Sequence, residues 1–244
     1  MGQTCLQGKT ALVTGAAKRL GLAIATGLAE QGANVVIHYA TSRQEAENAR
    51  DDLRKLGVAA HCLQADLGDP DQAQGLVSRA AELASPLDIL VNNASIFDRS
   101  KLSDVSFGQV SENIGINAWA PFVLSRAFAA QRRPGRILNL MDTRIASYDW
   151  HHVAYMLSKQ MLALLTRMTA LEYAPDITVN AVAPGLIIPP PGEDTSYLER
   201  RTDTVSLKRH GDVQDVVDAA LFLIRSEFIT GQTIYVDGGR HLRG

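Results

Sequence analysis

Short apolar runs alternate with longer amphipathic ones along the whole chain, and that rhythm limits the fold more than any single motif. TALVTG (10–15) leads into a helical stretch from Leu20, and ANVVIHY (33–39) into another from Ser42 to Leu56. The pattern continues through VAAHCLQAD (58–66), a helix opening at Asp69-Pro70, LDILVNN (87–93) and two helical segments around Ser103–Gln131. GRILNLM (135–141), a long helix near His152–Ala174, ITVNAVAP (177–184), a final helix from Asp212 and GQTIYVDGG (231–239) complete it. Apolar runs bounded by turns fit strands buried on both faces. Seven of them with helices between predict an α/β fold: a single-domain, doubly wound, seven-stranded parallel sheet with helices on both faces, spanning 1–244. The one long irregular stretch, Pro184 to about Thr204, contains Pro189, Pro190 and Pro191. Loops of that length in compact domains are commonly lids or binding loops, so a substrate loop is expected over about 184–205.

Composition removes several function classes. With 46% hydrophobic residues and a formal net charge of −2, the chain lacks the signature of disorder and carries no sequence-wide field for nucleic acid. No run approaches the roughly 18 apolar residues of a membrane span, and MGQTCLQGKT lacks the layout of a secretory signal. Leu6 stands where myristoylation wants Ser or Thr. Cys5 and Cys62 are too few for a disulfide framework or a zinc site, and no metal is expected. The cytoplasm is the expected address.

Thr14-Gly15-Ala16-Ala17-Lys18-Arg19-Leu20-Gly21 follows the first strand and feeds a helix. Gly15 can take the positive φ of a tight turn, Gly21 allows close helix–strand packing, and the helix N-terminus offers N–H groups to a pyrophosphate. Taken alone, a two-glycine loop reads equally as a plain turn. Its position after the first strand of an alternating α/β chain makes Gly15, Lys18, Arg19, Leu20 and Gly21 a candidate dinucleotide cradle. Arg19 replaces the usual middle glycine, which puts a guanidinium where cofactor phosphates and substrate pass.

The second strand ends His38-Tyr39-Ala40-Thr41-Ser42-Arg43. A carboxylate there would bind a ribose 2′-hydroxyl and repel a 2′-phosphate, so its absence favours NADPH. His38, Tyr39, Thr41, Ser42 and Arg43 are the candidate contacts; Ser42 with Glu45 also has the form of a capping box. Asp66-Leu67 ends the third strand, where Asp66 either accepts from an adenine amino group or serves the loop. Asn92-Asn93-Ala94-Ser95 closes the fourth at the same carboxyl edge, adding Asn93, Ala94 and Ser95 to the cofactor set.

Tyr155 and Lys159 stand four apart in a helical pattern and share a face. A phenol of pKa about 10 is a poor acid at neutral pH, and a nearby ammonium favours its phenolate, which makes Tyr155 a proton donor and Lys159 its tuner. The preceding strand ends in Asp142, thirteen positions earlier. Asn117 either holds a water near the lysine or is a buried hydrogen-bonding group.

Together TGAAKRLG, NNAS, Asn117, Tyr155-Met-Leu-Ser-Lys159 and Pro184-Gly185 resemble, in order and over nearly the whole chain, the short-chain dehydrogenase/reductase family. The resemblance implies a seven-stranded sheet of the Rossmann fold, hydride transfer from carbon 4 of the nicotinamide, cofactor contacts at Tyr155, Lys159, Pro184 and Gly185, and a homotetramer. Most members carry Ser where Asp142 stands. A carboxylate has only acceptors and opposes negative charge on a carbonyl oxygen, so substrates presenting N–H groups fit better. Arg19 with Asp142 is similar to the pteridine reductase branch, which implies that Phe97 stacks the pterin against the nicotinamide. The ending Asp237-Gly238-Gly239-Arg240-His241-Leu242-Arg243 looks like bacterial dihydromonapterin reductases. It implies that Arg240 or Arg243 reaches a substrate pocket, in trans from a neighbouring subunit. The apolar residues Met161, Leu162, Leu164, Leu165, Met168 and Leu171 spread over more than one stripe and independently ask for burial on two sides.

The expected activity is NADPH-dependent reduction of 7,8-dihydropterins. Catalytic candidates are Tyr155, Lys159, Asp142 and Asn117; substrate candidates are Arg19, Ser95, Phe97, Asp142, Tyr155, Leu186 and Arg240. The small-molecule partner is a pterin. The alternatives are a generic carbonyl or 3-oxoacyl reductase, for which Asp142 and Arg19 are incidental, and a non-catalytic NADPH-binding sensor. His151 and His152 are expected to be solvated surface.

Overall fold

A computed structural model describes residues 6–190 and 192–243; Cys5 and Pro191 lie outside the described residues. All seven strands pair in parallel in the order β3-β2-β1-β4-β5-β6-β7. They are β1 Thr10–Val13, β2 Asn34–Tyr39, β3 Ala60–Gln64, β4 Ile89–Asn92, β5 Gly135–Leu140, β6 Ile177–Pro184 and β7 Thr233–Val236. The order reverses between β1 and β4, and a doubly wound sheet opens a ligand crevice beyond the carboxyl ends of the strands at such a point.

Alternate residues of β1 divide the core. Ala11 and Val13 face α1 (Arg19–Glu30), α2 (Arg43–Lys55) and α8 (Val213–Arg225), packing with Ile24, Leu28, Leu53 and Val217. Leu12 faces the other side, where Leu76 of α3 (Pro70–Leu83) and Leu124 and Phe128 of α5 (Ala120–Ala129) cover it. Because both faces are covered, the strands read as nearly continuous apolar runs.

Three local features depart from expectation. The helical stretch around Ser103–Gln131 is α4 (Phe107–Ile114) and α5 joined without a break through a π-helical segment, Gly115–Trp119, with Asn117 at its centre. The stretch Pro184–Thr204 holds a short helix, α7 (Thr195–Glu199), and a 3-10 turn at Thr202–Thr204. The Ser42–Glu45 capping box does not form: Ser42 is the N-cap of α2 by position, but its side chain makes no capping hydrogen bond. The long helix α6 runs from Val153 to Glu172. Among the described residues no helix is long and apolar enough to cross a membrane, and no cluster of His, Cys, Asp and Glu could hold a metal.

Candidate active site

A cavity of about 490 Å³ opens at the reversal point. Its walls include Gly15, Lys18, Arg19, Leu20 and Gly21 of the turn, His38, Tyr39, Thr41 and Ser42 after β2, Asp66 and Leu67 after β3, and Asn93, Ala94 and Ser95 after β4. Backbone contact explains the two glycines. A Cβ at Gly21 would sit 2.4 Å from both the Gly15 carbonyl oxygen and Asn93 Nδ2, and Gly15 has φ 62° with Ala94 Cα 3.0 Å from a notional Cβ. Asn93 fastens the turn by donating from Nδ2 to the carbonyls of Thr14 (2.9 Å) and Gly15 (3.1 Å). Arg19 takes φ 57°, a left-handed conformation costing a side-chain-bearing residue about 1–2 kcal/mol. Its guanidinium crosses to the Pro189 carbonyl at 2.7 Å and so ties the turn to the stretch after β6.

Two expected phosphate contacts are redirected. His38 lines the cavity but is buried and has both ring nitrogens engaged: Nδ1 accepts from the Gly15 N–H (3.2 Å) and Nε2 donates to the Ala65 carbonyl (3.0 Å). Burial pulls it down to about 4, so the neutral ring braces the glycine turn. Arg43 points away and pairs with Glu47 at 2.9 Å. Thr41 and Ser42 remain as hydroxyls at the cavity wall, and no carboxylate follows β2 there.

A second cavity of about 500 Å³ shares Arg19, Leu20 and Ser95 with the first. Phe97, Asp142, Arg144, Tyr155, Gly185, Leu186, Tyr197 and Arg240 are among its walls. Tyr155 is placed by a contact remote in sequence: Ser100 Oγ accepts from the Ala154 N–H at 3.0 Å in the first turn of α6. The phenol donates to Asp142 Oδ2 at 3.1 Å. Arg144 holds the same carboxylate, with Nη1 on Oδ2 (2.9 Å) and its backbone N–H on Oδ1 (2.8 Å).

Burial and the charges of Asp142 and Arg144 act on the Tyr155 phenol. Burial pushes Tyr155 well above the ordinary phenol value, the charge and accepted hydrogen bond of Asp142 push the same way, and Arg144 pulls back. Lys159 is buried and donates to the Leu140 carbonyl at 2.7 Å, with its ammonium 5.7 Å from the Tyr155 ring centre. Burial brings it down to about 8, against the pull of Asp142. Tyr155 is thus held as the protonated acid. Asn117 is a buried hydrogen-bonding group, one of the two places the sequence allowed it. Its Oδ1 accepts from the Ile96 N–H (2.9 Å) and Ser95 Oγ (3.1 Å), and its Nδ2 donates to the Ile96 carbonyl (3.0 Å) and Ser158 Oγ (3.1 Å). The side chain braces the loop after β4 and makes no bond to Lys159.

The cradle, the acid-free end of β2 and the Tyr155–Lys159 face meet at one edge of one sheet, and residues 15–241 match the family described as enoyl-(acyl carrier protein) reductase. The chain belongs to the short-chain dehydrogenase/reductase family. It is accordingly an oxidoreductase. It is 33% identical over 242 residues to the 3-oxoacyl-[acyl-carrier-protein] reductase FabG of Staphylococcus aureus, covering 96% of this chain and 98% of that protein. Among solved structures it is similar to the FolM alternative dihydrofolate reductase 1 of Brucella canis complexed with NADP, at TM-score 0.90 and 32% identity, covering 98% and 96% of the two chains. A blue fluorescent protein from a metagenomic library in complex with NADPH superposes at TM-score 0.88 and 33% identity, covering 97% and 99%.

Three further residues singled out in the sequence line the second cavity or lie beside it. Gly185 lines the second cavity, and a Cβ there would come 2.5 Å from Asp237 Cβ, while Pro184 lines neither cavity. Arg240 reaches the substrate cavity from its own chain, because Asp237 gathers the tail: it accepts from the N–H groups of Gly239 (2.9 Å) and His241 (2.7 Å) and from Thr143 Oγ1 (2.5 Å).

Arg144 has no counterpart among the sequence-predicted residues. It lies 4.9 Å over the Phe97 ring and also pairs with Asp149 (3.0 Å). His152, expected on the surface, instead stacks on Phe97 at 4.1 Å and donates to Asp149 at 2.8 Å. The sequence signal was present in Asp142-Thr143-Arg144, an acid and a base at the spacing of one tight turn, but only the fold turns that turn towards Phe97.

Proposed function

We propose that the protein is an NADPH-dependent reductase of 7,8-dihydropterins, with the cofactor in the glycine-turn cavity and the pterin over Tyr155. The glycine cradle, a helix N-terminus and the hydroxyls of Thr41 and Ser42 fit a dinucleotide bearing a 2′-phosphate. The observation that carries the substrate reading is Asp142, the direct partner of the Tyr155 phenol in a cavity beside the half-exposed ring of Phe97. A carboxylate there opposes an oxyanion and welcomes N–H donors, and pterins supply an amino group and ring N–H. FolM relatives with dihydrofolate reductase names support the same class.

When bound, NADPH supplies the hydride that reaches carbon 6. Phe97 lines the cavity where the flat bicycle would lie, with His152 stacked on its ring and Arg144 4.9 Å over it. Asp142 accepts from the pterin's N–H edge or supports the proton path, and Arg144 keeps the carboxylate in place. Tyr155 delivers a proton to nitrogen 5, directly or through water. Lys159 is buried one helical turn from Tyr155 and fixed on the Leu140 carbonyl.

A second reading, a 3-oxoacyl reductase, is favoured by the FabG relatives at 33% identity over nearly the whole chain. Replacing Asp142 by Ser separates them: dihydropterin turnover should collapse while NADPH binding persists, and an equally active variant would remove the substrate argument. Leu164, Met168 and Leu171 leave an apolar stripe of α6 exposed while Leu162 is buried, which supports assembly into a homotetramer. Its mass in solution, measured by light scattering, tests that; a monomer would refute it. The cytoplasm remains the expected address.

A further inference from the structure

Tyr155 stands in a closed circuit of side chains. Its hydroxyl donates to Asp142 Oδ2 at 3.1 Å, Arg144 Nη1 donates to the same oxygen at 2.9 Å, and Arg144 Nε lies 3.0 Å from Asp149 Oδ2. His152 Nδ1 meets that Asp149 oxygen at 2.8 Å, the His152 ring stacks on Phe97 at 4.1 Å, and Phe97 meets the Tyr155 ring edge-on at 4.7 Å. Asp149 is the member of this circuit to which the chemistry above gives no part.

Two aspartates hold the one arginine in the same manner. Asp142 Oδ1 accepts from the Arg144 N–H at 2.8 Å and Asp149 Oδ1 from the His151 N–H at 2.9 Å, in each case two residues on, the local turn that a short carboxylate favours. That turn fixes the direction of each carboxylate and leaves each Oδ2 to the guanidinium. The segment carrying Asp149 is fastened in turn: the His151 carbonyl accepts from the Ser100 N–H at 2.8 Å and the Val153 N–H donates to the Ser100 carbonyl at 2.9 Å, three residues beyond Phe97. Bound through Nη1 alone, a guanidinium is free to turn on its long stem; with Nε set against a second acid, its plane is fixed. Burial pushes Asp149 up, but the hydrogen bonds from His151 and His152 and the charge of Arg144 leave it below the ordinary carboxylate value, so it meets the guanidinium ionised. The position of Arg144 matters to the acid, because its charge pulls the Tyr155 phenol down against burial and Asp142.

We propose that Asp149 is a positioning residue for the proton donor, acting through Arg144 to hold the guanidinium on the Asp142–Tyr155 pair. The inference rests on Tyr155 as the acid and is the same for a dihydropterin or a 3-oxoacyl substrate.

The test measures kcat and KM with 7,8-dihydromonapterin and with an acetoacetyl thioester in the wild type, Asp149→Asn, Arg144→Met and the double variant. For whichever compound is reduced, Asp149→Asn should lower kcat by about tenfold to a hundredfold and leave the KM for NADPH within about twofold. The double variant should be no slower than Arg144→Met, since a residue that acts through Arg144 has nothing further to lose. An unchanged kcat in Asp149→Asn, or losses that multiply in the double variant, would overturn the inference. Reduction of the thioester alone sinks the pterin reading and leaves this test intact. Nitrogen-15 relaxation of the Arg144 Nε–H, identified by its absence in Arg144→Met, gives a reading without turnover: its order parameter should be near about 0.85 in the wild type and below about 0.6 in Asp149→Asn. If neither compound is reduced, that drop supports the grip and an unchanged value refutes it. Should Asp149→Asn not fold, the wild-type value decides, since one below about 0.6 refutes a fixed guanidinium and one near about 0.85 supports it.

Discussion

Acidification should weaken the fold through His38, because folding holds that ring neutral. Its ordinary value is 6.5 and its value in the folded protein is about 4. Below 6.5 the unfolded chain takes up the proton that the folded chain refuses, so the contribution is complete above that pH and is lost as pH falls towards 4. A displacement of about 2.5 units at about 1.4 kcal/mol each gives a total of roughly 3 kcal/mol, of which about 2 kcal/mol is gone by pH 5. The cause is burial of the ring, which penalises its charged form; a protonated ring also could no longer accept from the Gly15 N–H at the head of the glycine turn. The assay is urea unfolding at steps from pH 8 to pH 5 for the wild type and His38→Asn. The variant should start less stable and lose about 2 kcal/mol less over that range. Curves that fall in parallel would refute the assignment of the acid-sensitive proton to His38.

Other expectations follow from the same geometry. Gly21→Ala places a methyl against the Gly15 carbonyl and Asn93, where backbone must move, so it should cost about 1–3 kcal/mol in unfolding and abolish measurable NADPH binding by fluorescence. Thr41→Asp puts a carboxylate at the end of β2 and should raise the KM for NADPH by about tenfold or more while sparing NADH; an unchanged preference would place the 2′-phosphate elsewhere. Asn117→Ala strands the Ile96 N–H and carbonyl, and should cost about 1–3 kcal/mol by denaturant unfolding.

The sheet, its direction and its helices were legible because apolar period and turn residues reflect local chain physics. The glycine cradle was legible for the same reason: Gly15 and Gly21 answer to a positive φ and a backbone approach that no other residue tolerates as well. Partners that meet only in the fold were hidden. Nothing in the spacing of His38 says that the Gly15 N–H and Ala65 carbonyl take its two nitrogens. Tyr155 and Lys159 were legible as sharing a helix face, whereas the Leu140 carbonyl on the ammonium and Asp142 on the phenol come from another segment of the chain. Arg144, His152 and Phe97 come from three segments, so their stack exists only once β4, β5 and α6 share an edge. The tail was legible as basic, and its docking in cis depends on Asp237, whose four hydrogen bonds include the contact to Thr143.

The measurement that bears most directly on the chemistry is oxidation of NADPH with 7,8-dihydromonapterin, beside an acetoacetyl thioester, in the wild type and Tyr155→Phe. Turnover of the dihydropterin that disappears in Tyr155→Phe is the expected result. Turnover of the thioester alone would contradict it and leave Asp142 without a role in substrate choice.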